Sequence, residues 1–98
     1  RLGAIYTISP YLLPWLIPRL HERAPQMQVL LEENYTARLA EMLKQGEIDI
    51  AVLAEPFSEG GIATCPVYDE DFVVATPKGH PWAQYACIES DMLAHENV

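Results

Sequence analysis

The chain has 98 residues, half of them hydrophobic and a fifth charged, with 14 acidic against 6 basic side chains and a formal charge of −8. That length holds one compact unit at most, or part of a larger one, and the composition excludes long disordered tracts. A surface this negative repels phosphate backbones and anionic headgroups, which excludes direct nucleic-acid binding by this segment and disfavours membrane surfaces.

Leu2 to Tyr6 is a short apolar run, as expected of a strand buried on both faces. Thr7-Ile8-Ser9-Pro10 follows as a turn, and Leu13, Leu16, Ile17, Leu20 and Ala24 then recur at helical spacing. Pro10, Pro14 and Pro18 fall four residues apart in this segment. A proline deep in a helix costs about 3 kcal/mol, so the main helix is expected to start near Pro14 and to run over 14–24. Pro10 and Pro14 then stiffen its approach, Pro18 sits in its first turn, and Pro25 ends it. On this reading the prolines build the entrance to a binding crevice.

"QVLLEEN" (28–34) reads as a second strand, and Thr36 as the N-cap of a helix over 37–45 that turns Leu39, Met42 and Leu43 inward. Gly46 suits the position just past that helix. "IDIAVLA" (48–54) is apolar enough for a central strand, with Asp49 at its start partnering backbone or a neighbouring base. Beyond the Gly60-Gly61 loop come two apolar runs, 62–68 and 72–77, then a loop "KGHPWAQ" and a short helix in "ESDMLAH" with Ser90 near its cap. The order strand, helix, strand, helix, strand predicts an α/β fold, an open and mostly parallel sheet flanked by helices.

In such sheets ligands bind beyond the carboxyl ends of the strands, where helix N-termini converge. Two turns carry hydroxyls there, Thr7 and Ser9 after the first strand, Asn34 and Thr36 after the second. Neighbouring strands would aim both sets into one crevice suited to a small polar molecule or an anion. Spacing alone also reads Ser9 and Thr36 as plain helix caps, and leaves that open; Thr7 lies too early to cap the main helix.

Enzyme signatures are lacking: there is no nucleophile elbow and no glycine-rich phosphate loop, and Glu32 and Glu33, adjacent in a strand, face opposite sides. His21, His80 and His95 lack metal-ligand spacing, so neither a metal nor a cofactor is expected. Cys65 and Cys87, 22 residues apart, read as reduced, buried small hydrophobes. No run approaches a membrane span and no leader opens the chain, giving the expectation of a soluble segment not marked for export. The start inside a strand and the end at "LAHENV" give the further expectation of a piece cut from a longer chain.

"SPYLLPWLIPRLHERAPQMQVLLEE" followed by "RLAEMLKQGEIDIAVL" resembles the opening of the effector-binding domain of LysR-type transcriptional regulators, and "DEDFVVATPKGHPWA" (69–83) is similar to that family's next strand and His-Pro loop. "PYLLP" (10–14) together with "HPWA" (80–83) is similar to the peroxide-sensing branch of the family. The resemblance implies a three-layer α-β-α lobe of periplasmic-binding-protein type II, with residues 1–98 as the first of two lobes. It also implies a cytoplasmic homodimer or tetramer that meets DNA only through a separate N-terminal domain, with hydrogen peroxide or a metabolite as effector. By the same resemblance Thr7 and Thr36 help hold peroxide or its water network, Ile17 and Leu31 lie at subunit contacts, and the reactive cysteine pair lies beyond Val98, so that neither Cys65 nor Cys87 belongs to it. Three other readings stand beside this one: a LysR-type regulator that binds an organic acid or aromatic metabolite without redox chemistry, a transport-type solute-binding lobe, and an enzyme.

Overall fold

Gly3 and Ala4 are the two buried residues of β1 (Leu2–Ile5), and successive residues of a strand point to opposite faces of its sheet. The computed structural model describes residues 1–96, which divide into two units, Arg1–Cys65 and the segment from Pro66 onward. In the first unit β1 is central. It pairs in parallel with β2 (Leu31–Asn34), from Leu2↔Leu31 to Ile5↔Asn34, and with β3 (Ile50–Val52), from Leu2↔Ile50 to Ala4↔Val52. The open parallel sheet with flanking helices is the expected class.

The helix α1 (Ser9–Arg23) links β1 to β2, and α2 (Thr36–Gln45) links β2 to β3. The chain therefore steps outward to one side and then back across β1 to the other. Right-handed crossovers running in opposite directions place their helices on opposite faces of the sheet. On the Gly3 face, Leu39, Met42 and Ile48 form the core, with Ile5, Leu43, Ala51 and Leu53 packed against it. Complete burial of a leucine such as Leu39 contributes about 1.5–3 kcal/mol. Ala4, on the other face, is equally covered at 1% exposure.

α1 corrects the expectation for the first helix. It begins at Ser9, five residues before Pro14, and carries Pro14 and Pro18 inside it. Pro14 cannot donate to the carbonyl of Pro10, nor Pro18 to that of Pro14, so two helix bonds are lost. The loss is tolerated because the prolines, four apart, share one face, and Pro10, Pro14 and Pro18 are all exposed, where water can satisfy the two carbonyls. The buried side of α1 holds Ser9 and Leu13. Pro25 acts as expected: it forces the preceding Ala24 out of the helical region, at φ −139° and ψ 68°.

β2 and β3 are shorter than the expected 28–34 and 48–54. The pairing runs to Ile5↔Asn34 on one side of β1 and to Ala4↔Val52 on the other, so Leu53 and Ala54 lie past the paired part of β3. α2 closes as the sequence implies. Gly46 adopts φ 71°, its N–H reaches the Leu43 carbonyl, and the Glu47 N–H reaches that of Met42 at 2.8 Å. No atom stands within 4 Å of a Cβ added at Gly46, so the requirement for glycine is conformational. Gly46→Ala is expected to cost about 1–2 kcal/mol and Gly46→Asn less, as read by urea unfolding midpoints.

The second unit contains a 3-10 turn (Pro81–Gln84) in the expected "KGHPWAQ" loop and a short helix α3 (Ser90–Leu93), the latter at the expected place. The His80 Nδ1 accepts the Trp82 N–H at 3.1 Å, and the two rings meet edge to face. The runs 62–68 and 72–77 have strand composition but are not strands, and Phe72 and Val73 are exposed. Strand propensity is realised only against a neighbouring strand. Cys65 and Cys87 are exposed, which corrects the expectation of burial: each lies outside the packed helices and strands. Among the described residues no helix is long and apolar enough to cross a membrane.

Candidate functional site

β1 and β2 leave the sheet in step. Ile5 and Asn34 are the last register partners; one residue further along lie Tyr6 and Tyr35, and two residues further Thr7 and Thr36. From there α1 and α2 depart, so their first turns stand on either side of the gap above the carboxyl ends of two adjacent strands, the end of an open α/β sheet where ligands bind. The Tyr6 and Tyr35 rings meet across it, centroids 5.1 Å apart and planes at 70°. The two turns, 29 residues apart in the chain (36 minus 7), thus flank one opening.

Thr7 and Thr36 are both exposed. Each hydroxyl can donate one hydrogen bond and accept two. The first turns of α1 and α2 contain no acidic residue, so nothing offsets the positive ends of their dipoles. Such a place suits a small polar or anionic group.

The capping readings of Ser9 and Thr36 are corrected. Ile8 and Tyr35 occupy the cap positions, and neither helix has a side-chain cap bond. Thr36 is the first residue of α2 and its hydroxyl is not committed to a cap. Ser9 is 1% exposed, and its Oγ has no hydrogen-bond partner; it lies beneath the turn rather than at its surface. Asn34 is half-buried and supports the second turn from within. Its Oδ1 accepts the Tyr35 N–H at 2.9 Å, and its Nδ2 donates to Glu32 Oε1 at 3.4 Å. Ile17 is half-buried on α1, and Leu31 stands exposed on β2, an edge strand.

The ion pairs lie elsewhere. Asp49 stands exposed just before β3, and its N–H bonds the Arg1 carbonyl at 2.9 Å. Arg38 bridges Glu41 and Glu47, and Lys44 pairs with Glu59, all at the surface. A hollow of about 190 Å³ lined by Arg1, Leu30, Leu31, Glu32, Met42, Glu47 and Ile48 is centred on the opposite, amino ends of the strands. It is a seam between sheet edge and helix, and the chemistry suited to a ligand is at the other end.

Tyr6 and Tyr35 escaped the sequence reading. Their signal is an aromatic residue directly before the hydroxyl residue in each of two equivalent turns, informative only once the strands are known to be neighbours in register.

The LysR substrate binding domain pattern matches residues 1–98. A Mycobacterium avium protein named a probable hydrogen peroxide-inducible genes activator is 40% identical over 94 residues, covering 96% of this chain and 30% of that protein. The Escherichia coli K12 DNA-binding transcriptional dual regulator OxyR is 35% identical over 98 residues, covering the whole chain and 32% of the regulator. Among solved structures, a variant OxyR regulatory domain from Pseudomonas aeruginosa superposes with a TM-score of 0.86 at 50% identity, over 94% of this chain and 47% of that one. A reduced OxyR from Neisseria meningitidis gives 0.81 at 54% identity, over 86% and 39% of the two chains. The chain spans about a third of the length of the two curated relatives.

Proposed function

Because the chain belongs to the LysR substrate binding domain family, we propose that it is the first lobe of the regulatory domain of a transcription regulator that responds to hydrogen peroxide. The Mycobacterium avium relative, named for peroxide induction, favours this effector over an organic metabolite. The observation that carries the reading is the pair of exposed threonines beyond the carboxyl ends of two adjacent parallel strands, each at the start of a helix.

Hydrogen peroxide both donates and accepts hydrogen bonds, as does a threonine hydroxyl. Thr7 and Thr36 would orient it or its water, and the two helix N-termini would favour negative charge as it develops on the departing oxygen. In the step itself a thiolate attacks one peroxide oxygen and the O–O bond breaks. The sulfur leaves as a sulfenic acid, and the departing hydroxide takes a proton to become water. We assign that thiol to a part of the regulator outside residues 1–98. Oxidation would then shift a two-state packing of the regulatory domain and with it the spacing of DNA-binding domains in a homodimer or tetramer. Ile17 on α1 and Leu31 on the edge strand supply apolar side chains for the subunit contacts of that assembly. DNA would be met by a separate domain and not by this acidic lobe, and the regulator would work in the cytoplasm without turnover of a substrate.

Thr7→Val and Thr36→Val keep side-chain shape and remove the hydroxyl. In the intact regulator each is expected to slow peroxide oxidation about tenfold, the loss of one hydrogen bond to a group acquiring charge. The second-order rate constant at limiting peroxide is the measurement. Parental rates in both variants would remove the threonines from the site.

A further inference from the structure

The ladder between β1 and β2 ends at Ile5 and Asn34, so beyond that point no strand pairing holds the two turns at a fixed separation. What spans the gap is the Tyr6–Tyr35 ring contact, edge to face at 5.1 Å. Both rings are on the outside of the fold, at 46% and 74% exposure, so core packing does not force them together.

Each ring has a stiff mount. Tyr35 is the N-cap of α2, extended at φ −75° and ψ 155°; its N–H is held by Asn34 Oδ1, and its carbonyl takes the N–H of the fully buried Leu39 at 3.0 Å. Tyr6 sits in a turn closed by the Ile8 N–H on the Ile5 carbonyl at 3.0 Å. The residue after each tyrosine is one of the crevice threonines.

We propose that Tyr6 and Tyr35 are positioning residues: their ring contact sets the separation of Thr7 and Thr36 and so the sensitivity of the effector response. This rests on the reading of the threonines as the effector contacts. The tyrosines act through the threonines and touch no effector. An edge-to-face pair contributes an amount equivalent to about three- to tenfold in an equilibrium or rate, and that is the size of effect expected when the contact is removed.

The experiment uses the intact regulator with Tyr6→Leu, Tyr35→Leu and the double variant, and with Tyr6→Phe and Tyr35→Phe as conservative partners. Tyr35→Ser replaces Tyr35→Leu if the leucine proves insoluble. Two quantities are read: the second-order rate constant at limiting peroxide, and the amplitude of the response at saturating peroxide. Each ring-removing single variant is expected to lose about three- to tenfold in the rate constant with the amplitude kept, and the phenylalanines to restore the rate. The double variant is expected to be no slower than the slower single one, because one shared contact is lost only once. Parental rates in the ring-removing variants, multiplying losses in the double variant, or a fall in amplitude alone would each overturn the proposal. The threonine variants measured alongside separate the two failures. If they slow the reaction while the tyrosine variants do not, only the positioning role falls; if neither set slows it, the reading of the crevice falls as well.

Discussion

Leu39→Ala is expected to destabilise the fold by about 3–5 kcal/mol, near the top of the range for a leucine deletion. Leu39 is fully buried, at 0% exposure, and forms the core cluster together with Met42 and Ile48. The size of the cost depends on whether neighbours can collapse into the space left behind. Here one wall of that space is the backbone of β1 at Gly3, which has no side chain to move inward, and β1 is locked between two partners. A cavity should therefore persist. Urea unfolding of the protein measures it: the midpoint should fall with the slope unchanged. A loss below about 1 kcal/mol would mean that the core relaxes freely, contrary to the close packing of protein interiors.

Gly3→Val is expected to destabilise by about 2–3 kcal/mol, against the strand propensity that ranks valine far above glycine. A Cβ at Gly3 would stand 2.7 Å from Ile48 Cδ1 and 2.8 Å from Leu39 Cδ2, inside any real contact distance. Both atoms are the far ends of flexible side chains, so Gly3→Ala should cost no more than about 1 kcal/mol, whereas the two further methyls of valine have nowhere to go. The overlap also predicts coupling. Gly3→Ala combined with Leu39→Ala should be less destabilising than the sum of the two, because the second change vacates the space that the first one needs. Simple additivity in a double-mutant cycle would show that the strand shifts bodily rather than pressing on Leu39.

Local chemistry made part of this fold legible. α2 was readable from the spacing of Leu39, Met42 and Leu43 and from Gly46, since a left-handed residue after a helix has few alternatives to glycine. The start of α1 was not readable. The penalty for an interior proline is a property of one residue, while its relief here depends on three rings sharing a solvent-facing side, which only the packed helix defines. The runs 62–68 and 72–77 stayed undecided for the complementary reason: Val, Tyr and Phe record what a strand would like, and pairing decides whether there is one. Of the site, Thr7 and Thr36 could be proposed because hydroxyls after parallel strands have a general meaning. Tyr6 and Tyr35 could not, because their contact follows from the Ile5↔Asn34 register and leaves no periodic trace in the sequence.

The proline stripe has a mechanical side. Surface helices already arc around the core they cover, their outer hydrogen bonds slightly stretched. α1 goes further, since on its outer side two of those bonds do not exist at all and pyrrolidine rings wedge the turns apart. Its inner side carries Leu13 and keeps its helix bonds, so a shorter path is expected there. The backbone is thus expected to bend toward its Leu13 side before any side chain packs, much as a bimetallic strip curls toward its shorter layer.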